Sequence, residues 1–419
     1  MEKKIHQLVD HLFRHEAGRM VAILTRLFGL HNLELAEDVM QDTLHQAMKD
    51  WALGRIPENP AAWLMTVAKR KAINTVRREK FYRNFAGDMD ALLKSEYTAA
   101  YTMDQVFLDA EITDSQLRMI FTCCHPDLPA EAQVALTLKT LCGFSIAEIA
   151  AALLTTESNI HKRLYRAKEK IRNDGIDFSV PAGSQLRPRL DVVLLVIYLL
   201  FNEGYNSAGD NAAIRKDLCL EALRLAMLLT QRAPTNEYPP LYALIALLCF
   251  HSARLDARTD DNDGLVILEE QDRSRWDAEL IRQGMHFLSR SAAGATATAY
   301  HLEAAIAAEH CMAPDFASTN WHRIHEYYTA LEKLKPSSVI QLNLAIATGK
   351  KDGPQAAIAL LHQLETHKAL ENYYLLYASL GEFYFLAGQK EASIDFFLQA
   401  KALTRSAAIR EVIDRKMSR

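Results

Sequence analysis

The chain has 419 residues, of which 49 % are hydrophobic and 24 % are charged, and its formal net charge is −4. This composition predicts a soluble globular protein of about three domains, and it excludes a disordered chain and a uniformly basic nucleic-acid binder. The charge is uneven along the chain, because two short segments near the N-terminal end are strongly basic, and a polyanion responds to such patches rather than to the average.

The sequence has no segment that predicts secretion or a membrane span. The N-terminal residues are too polar for a signal peptide. The longest apolar run, Val192–Phe201, is ten residues long, whereas a helix needs about 20 to cross a bilayer. Six cysteines without a regular framework are typical of a reduced compartment. We therefore predict a cytoplasmic protein without a membrane contact.

Helical patterns dominate the whole chain and predict an all-α fold. Apolar residues recur at spacings of three and four from Leu8 onward. The first block, 1–85, is predicted to contain helices near 5–28, 34–51 and 60–83. The acidic, weakly periodic segment 86–112 is predicted to be a linker.

The remaining chain divides into a second small block and a long helical tail. The second block, 113–178, contains four helical patterns and ends before a segment rich in Pro and Gly. From 185 to 419 one helical pattern follows another, and Leu342–Leu364 resembles Leu380–Ala402. The spacing is close to the roughly 34 residues of a tetratricopeptide repeat, so we predict a helical-repeat domain.

The first basic segment, 63–83, has seven basic residues and one acidic residue, with Trp63, Phe81 and Tyr82 among them. Such a mixture suits single-stranded or melted DNA, because bases stack on the aromatic rings while the cations neutralise the backbone. A solvated helix face with Trp63 in the core explains the same pattern, and these residues alone leave both interpretations open.

The second basic segment, 144–172, has the pattern of a helix-turn-helix. Ser145 and Glu148 predict a capping box on the first helix, and a short turn leads into a second helix with a basic outer face. The N-terminal part of such a second helix enters the major groove. The predicted base-edge contacts are Glu157, Ser158, Asn159, His161 and Lys162, and the predicted phosphate contacts are Arg163 and Arg166. A solvated basic helix is the weaker alternative.

Two DNA-reading segments in separate helical blocks, joined by an acidic linker, resemble the extracytoplasmic-function (ECF) branch of the sigma-70 superfamily. The matching segments are Ala36–Trp51, Pro60–Arg78 and Ile146–Arg172. The resemblance implies that a first domain melts and reads the −10 promoter element and that the helix-turn-helix reads the −35 element. It also implies two partners, core RNA polymerase and promoter DNA, and no cofactor.

The same resemblance assigns individual residues. The implied −10 contacts are Trp63, Lys69, Arg70, Asn74, Arg77 and Arg78. The implied contacts with the clamp helices of the largest polymerase subunit are Glu37, Asp38, Gln41 and Asp42. An acidic solvated face is the alternative for the latter set. Arg70 and Asn74 stand where the family usually has Asn and Asp, and Asn159-Ile160-His161 replaces a commoner Ala-Val-Lys.

Segments further along the chain resemble sigma factors with a long, tetratricopeptide-type C-terminal extension. They are Phe121–Leu128, Tyr198–Tyr205, Leu268–Asp277, Tyr300–His310 and Pro336–Ala347. The resemblance implies an extension that regulates or assists initiation. We expect it to contact either a protein partner or the DNA-reading blocks of its own chain.

Two clusters invite other interpretations. Cys123-Cys124-His125 could suggest a metal, but three adjacent residues do not readily supply three tetrahedral ligands, so no metal site is predicted. The charge-dense run Gln271–Asp277 could suggest an active site, yet a buried ion-pair network involving Asp272, Arg273, Arg275 and Asp277 is the commoner explanation.

Catalytic signature motifs are absent from the sequence, so we predict a protein that is not an enzyme. The alternative function is a helix-turn-helix regulator, or a repeat scaffold, that never binds polymerase. Such a protein has no use for a docking helix followed by a melting helix, and this favours the sigma factor.

Overall fold

The computed structural model describes residues 2–52, 56–79, 107–153, 155–205, 215–231, 233, 235–260, 264–294 and 296–419. Within these ranges the secondary structure is helical, with one isolated bridge between Thr259 and Leu265. This confirms the predicted all-α class. The chain divides into two units, residues 1–199 and 200–419.

The first three helices build the N-terminal part of the first unit. They are α1 (Glu2–Phe28), α2 (Leu33–Ala52) and α3 (Pro60–Glu79). Each presents an apolar stripe at helical spacing, and Val21, Leu24 and Phe28 of α1 are fully buried. Pro60 occupies the first position of α3, where its missing N–H costs nothing.

Four further helices follow in the same unit. They are α4 (Asp109–Cys123), α5 (Ala130–Thr140), α6 (Ile146–Ala152) and α7 (Glu157–Asn173). Helix α4 begins within the segment predicted as a linker, whose residues 86–106 lie outside the described residues. Helix α5 is buried on nearly all sides and forms the centre of this half.

The two halves of the first unit pack directly on one another. A Cβ atom placed on Gly18 of α1 would lie 2.0 Å from the carbonyl oxygen of Leu141, so only glycine permits this approach of α1 to the end of α5. At the same interface Arg26 of α1 forms ion pairs with Glu111 and Asp114 of α4. Region 1–28 therefore contacts both halves.

Helix α8 (Leu186–Tyr205) contains the apolar run noted above and belongs to both units, which meet between residues 199 and 200. Its Arg189 donates to the carbonyl oxygen of Phe121, 2.7 Å away, within the first unit. None of the described helices is long and apolar enough to cross a membrane.

The second unit begins with a helical layer around one very apolar helix. Its members are α9 (Lys216–Leu228), α10 (Pro239–Ser252), α11 (Ala278–Ser291) and α12 (Ala299–Met312). Helix α10 is apolar all round because α9, α11 and α12 all contact it. Gly284 of α11 lies against the ring of Phe250, so the two helices approach closely.

Helix pairs then follow in a regular repeat. They are α13 (Trp321–Leu334), α14 (Ser338–Asp352), α15 (Pro354–Leu364), α16 (Tyr374–Leu386), α17 (Lys390–Leu403) and α18 (Ala407–Met417). The pair α16–α17 begins 36 residues after the pair α14–α15. Within each pair, a turn at a glycine with positive φ connects the two helices: Gly353 in the first pair and Gly388 in the second. The structure thus contains a helical repeat of about the predicted length.

Candidate nucleic-acid and polymerase interface

The helix-turn-helix is formed by α6, a short turn and α7. The side chain of Ser145 accepts from the backbone N–H of Glu148, and the Glu148 carboxylate accepts from the N–H of Ser145, which is the predicted capping box. Thr156 caps α7 in the same way by accepting from the N–H of Asn159. These caps fix where each helix starts and hence which residues α7 presents to solvent.

The two faces of α7 differ sharply. Its apolar residues Ile160, Leu164, Ala167 and Ile171 are buried against the rest of the domain. All five residues predicted to meet base edges, Glu157, Ser158, Asn159, His161 and Lys162, are exposed at its N-terminal end. The helix therefore has the surface that insertion into a major groove requires.

Four of the basic residues further along α7, namely Arg163, Lys168, Lys170 and Arg172, have acidic partners in this conformation. Arg163 forms a 2.6 Å ion pair with Glu131, whose side chain is mostly exposed, while Arg166 is exposed. A groove of about 470 Å³ lies between the start of α5 and α7, and Lys162, Arg163, Arg166 and Lys170 line it. Because an exposed ion pair is weak, a DNA phosphate can replace Glu131 at Arg163.

Residues predicted to contact polymerase lie along α2 with unequal exposure. Asp38, Gln41 and Asp42 are exposed, whereas Glu37 is only 8 % exposed. One carboxylate oxygen of Glu37 accepts from Lys168 Nζ of α7 at 2.7 Å. The other oxygen, Oε1, is buried without a hydrogen-bond partner. In this conformation Glu37 is therefore engaged by the recognition helix.

A second ion pair runs parallel to the first. Arg172, near the end of α7, lies 3.6 Å from Glu34 at the start of α2. A cavity of about 430 Å³ is lined from one side by Met40, Gln41 and Leu44 and from the other by Lys139 and Glu148. Two acidic residues of α2, Glu34 and Glu37, thus contact α7, while Asp38, Gln41 and Asp42 stay exposed.

Helix α3 carries the residues predicted to read melted DNA. Arg70 and Asn74 are exposed one turn apart, so they share a face. Trp63 is half-buried, with its ring 5.6 Å from that of Trp51, so it belongs partly to the core. Lys69 is half-buried as well, and this burial lowers its pKa.

The remainder of the predicted melting segment is described less completely. The side chains of Arg77 and Arg78 are not among those described. Lys80, Phe81, Tyr82 and Arg83 lie outside the described residues altogether. For the residues that the structure describes, α3 offers a basic and polar strip, Arg70 with Asn74, beside a tryptophan pair.

The cysteine pair noted in the sequence is part of the core. Cys123 and Cys124 are buried at the end of α4, and burial raises the pKa of Cys124 to about 12. Both thiols are therefore protonated at neutral pH. No group of three or more potential metal ligands is found in the part of the chain that the structure describes.

The expectation of a buried ion-pair network in Gln271–Asp277 is wrong. Asp272 and Asp277 are exposed and accept from backbone N–H groups at the starts of helices. Arg273 instead donates to the carbonyl oxygen of His310 and lies 3.8 Å from the centre of the Trp276 ring. Short acidic side chains beside a helix start prefer to cap it, and this removes them from the arginines.

Acidic clusters of the tail also have partners within the second unit. Glu270 pairs with Arg415 and Arg419, and Asp256 pairs with Lys216. The acidic partners found for Lys168 and Arg172 of α7 are Glu37 and Glu34 of α2.

Comparison with known families agrees with this geometry. The family Sigma-70 region 2 matches residues 12–82, Sigma-70 region 4 matches residues 118–171, and a family of unknown function, DUF6596, matches residues 189–292. The first two matches contain the predicted melting helix and the helix-turn-helix, respectively. The third begins in the first turn of α8, which starts at Leu186.

Individual relatives show the same division. An uncharacterized protein of Rhizobium meliloti is 36 % identical over 348 residues, which are 83 % of this chain and 81 % of the relative. The ECF RNA polymerase sigma factor SigL of Mycobacterium tuberculosis is 30 % identical over 166 residues, 39 % of this chain and 87 % of SigL. A probable RNA polymerase sigma factor of Haemophilus influenzae is 23 % identical over 155 residues, 34 % of this chain and 78 % of the relative.

Proposed function

The chain belongs to the ECF branch of the sigma-70 family and carries a DUF6596 extension, and on this premise we propose how its surfaces divide the work of initiation. Helix α7 reads the −35 element through its N-terminal residues, α3 reads the −10 element, and α2 docks on core RNA polymerase. The observation that carries this assignment is the capped helix-turn-helix, with five exposed polar residues at the start of α7. The chemistry of RNA synthesis belongs to the polymerase, so this chain needs no catalytic site. Its place of action is the bacterial cytoplasm.

The alternative of a regulator or scaffold that does not bind polymerase is not favoured. The match to Sigma-70 region 2 covers both the acidic helix α2 and the basic helix α3. A DNA-binding regulator needs only the helix-turn-helix. The presence of all three helices in one unit supports a protein that joins polymerase to a promoter.

Run-off transcription with purified core polymerase tests the proposal. The full chain alone, added to core, should yield transcripts that start at defined promoters in a genomic template library. The matched control is the variant with Glu157, Asn159 and Lys162 changed to Ala, which keeps the buried face of α7 and should lose promoter selection. Binding to core without a single promoter-specific transcript would contradict the proposal.

We further propose that the described conformation of the first unit is a closed form. Lys168 and Arg172 of α7 neutralise Glu37 and Glu34 of α2, so one of the four residues assigned to polymerase, Glu37, is engaged by the recognition helix. A polymerase surface cannot reach Glu37 while Lys168 holds it. Docking on core through Glu37 therefore requires α7 to leave α2.

For the C-terminal extension we propose a regulatory or assisting role in initiation, through a protein partner or through the chain's own DNA-reading unit. It is well packed, with a continuous core that includes Leu342, Leu380, Phe383 and Phe397. A helical repeat of this kind offers an extended surface for binding. The extension is thus built to make a contact rather than to serve as a passive tail.

Ending the chain after Tyr205, at the end of α8, tests that role. This position keeps Arg189 of α8, which donates to the carbonyl oxygen of Phe121 in the first unit. Higher run-off transcription than the full chain would assign inhibition to the extension, and lower transcription with an unchanged circular dichroism signature of the first unit would assign assistance. Equal transcription would overturn the proposal.

A further inference from the structure

A cluster of cationic and imidazole side chains in the second unit is not part of the surfaces assigned above to polymerase and promoter binding. It consists of Arg254, Arg258 and Arg273 with His251 and His310, and it is called the arginine cluster below. His251 lies in the last turn of α10, the first two arginines follow that helix, Arg273 lies in a 3₁₀ turn before α11, and His310 lies in the last turn of α12. Three separate chain segments thus meet here.

Aromatic rings hold the guanidinium groups in place. Arg273 and Arg254 lie over the ring of Trp276, 3.8 and 5.2 Å from its centre. Arg258 lies 3.8 Å from the centre of the Tyr205 ring. Stacking of this kind fixes the planes of the guanidinium groups before any ligand arrives.

All the hydrogen-bond acceptors found for these arginines are neutral. Arg254 Nε donates to the side-chain oxygen of Gln271 at 3.2 Å, and Arg258 and Arg273 each donate to a backbone carbonyl oxygen at 2.8 Å. Within the described part of the chain none of the three has a carboxylate partner. Elsewhere in this unit, comparably shielded cations are paired, as Lys416 is with Glu382 and Arg224 with Glu221.

Several polar atoms of the cluster have no partner at all. Arg273 Nη2, His251 Nδ1, His310 Nδ1 and Trp276 Nε1 are buried and make no hydrogen bond in the described structure. Buried polar atoms are nearly always satisfied in folded proteins, so four unsatisfied ones in one cluster indicate a missing partner.

The net positive charge of the cluster indicates that the missing partner is an anion. Burial, with a smaller contribution from the nearby arginines, lowers the pKa of both His251 and His310 to about 3, so both imidazoles are neutral at neutral pH. Burial also lowers the pKa of Arg258 and Arg273, and the charge of Arg254 adds to the effect in each. Three like charges therefore lie close together, and the carboxylate that acts on them, that of Asp315, does so through Arg273 without forming an ion pair in the described structure.

We propose that the arginine cluster is a binding site for a small ligand that carries a phosphate group. Guanidinium groups bind phosphate through paired N–H donors, and three of them match a dianion better than they match a single carboxylate. A neutral imidazole donates or accepts according to its tautomer, so His251 and His310 suit the remaining phosphate oxygens. All three arginines are only partly buried, so a ligand can reach them from solvent.

The site lies almost entirely in the segment that matches DUF6596, with His310 beyond its end. It does not depend on how the first unit binds DNA or polymerase. It gives the extension a chemical input, a phosphate-bearing small molecule, that is separate from any protein contact made by its repeats.

Thermal unfolding and isothermal titration calorimetry of the full chain test the site, with sodium phosphate as the probe and sodium chloride at equal ionic strength as the reference. Phosphate should raise the melting temperature saturably and bind with a stoichiometry near one. Arg254→Met should weaken binding at least 10-fold. Arg282→Met is the matched control, because Arg282 is exposed on α11 and paired with Glu279, and it should bind phosphate as the unaltered chain does.

Further variants keep the result decisive. If Arg254→Met fails to fold, Arg273→Lys retains the charge but loses the planar fork, and it should still bind more weakly than the unaltered chain. Glycerol phosphate binding more tightly than inorganic phosphate would assign the site to a phosphate ester, and equal affinity would assign it to free phosphate. No saturable response in the unaltered chain, or an equal response in the Arg254 and Arg273 variants, would overturn the proposal.

Discussion

Replacing Lys168 by Met removes the cation that neutralises Glu37 and keeps an unbranched side chain of similar length. In the closed form the Lys168 and Glu37 side chains are only 15 % and 10 % exposed, and their charged atoms are 2.7 Å apart. The variant would leave a buried carboxylate without a cation, and its second oxygen already lacks a hydrogen bond. Opening the first unit returns that carboxylate to water.

The size of the effect follows from the burial of the pair. Removing one member of a fully buried ion pair costs about 3–5 kcal/mol, and the residual exposure of both side chains reduces this to about 2 kcal/mol. A change of about 1.4 kcal/mol alters an equilibrium constant tenfold, so the closed form should lose about 30-fold in population relative to the open form. The apparent affinity for core polymerase is proportional to the fraction of chains that are open. Lys168→Met should therefore bind core more tightly, by up to about 30-fold.

Fluorescence anisotropy with labelled sigma factor and core polymerase, without DNA, measures this affinity directly. Leaving DNA out separates the effect on closure from any phosphate contact that Lys168 makes. The matched control is Lys170→Met, because Lys170 lies on the same helix in an exposed pair with Asp174 and should change core binding less than twofold. Unchanged or weaker core binding by Lys168→Met would refute the closed form.

Three further predictions concern the DNA-reading helix and the fold. Arg163→Ala should weaken promoter binding for all sequences alike and reduce the slope of log affinity against log salt by about 1. Lys162→Ala should instead change the −35 base preference by about 1–3 kcal/mol. Salt-dependent gel shift measures both effects, with exposed Arg187→Ala as the control. Ser145→Ala removes one half of the capping box and should lower the free energy of unfolding of the first unit by about 1 kcal/mol in urea titration, while exposed Ser158→Ala should leave it unchanged. Gly381→Val places an isopropyl group against the Phe397 ring, which lies 2.8 Å from the position of a Cβ atom. The variant should destabilise the repeat by about 1–3 kcal/mol in calorimetry, whereas exposed Asp395→Val on α17 should have a much smaller effect.

Sequence reasoning succeeded where the signal is local. The capping box at Ser145 and the buried stripe of α7 depend on residues three and four apart, and both are present as predicted. The exposure of the base-edge residues follows from that stripe, because a helix that buries one face presents the other. Local periodicity therefore sufficed for the all-α class and for the orientation of the recognition helix.

The interactions that the sequence did not reveal join distant segments. Lys168 and Glu37 are 131 residues apart, and each belongs to a helix whose charged face is also explained by solvent. In Gln271–Asp277 the alternation of acids and bases predicted local ion pairs, but the acids cap helix starts and Arg273 turns to Trp276. The histidines of the arginine cluster come from two helices whose apolar patterns contain no hint of a shared site. Charge spacing identifies neighbours along a helix, and it does not identify partners across a fold.

The closed form couples the two binding surfaces of the first unit. Each ion pair joins α2 to α7. In the proposed closed form, docking of α2 on polymerase therefore releases Lys168 and Arg172, and binding of α7 to DNA releases Glu37 and Glu34. Coupling free energies are reciprocal. If core polymerase raises the affinity of the chain for −35 DNA by some factor, that DNA raises the affinity of the chain for core polymerase by the same factor. In the proposed closed form, any DNA contact through Lys168 or Arg172 of the free chain first requires these ion pairs to break, whereas the exposed residues at the start of α7 carry no such cost. The cost is that the free chain binds core less tightly than its exposed surface would allow, by the same free energy that keeps it closed.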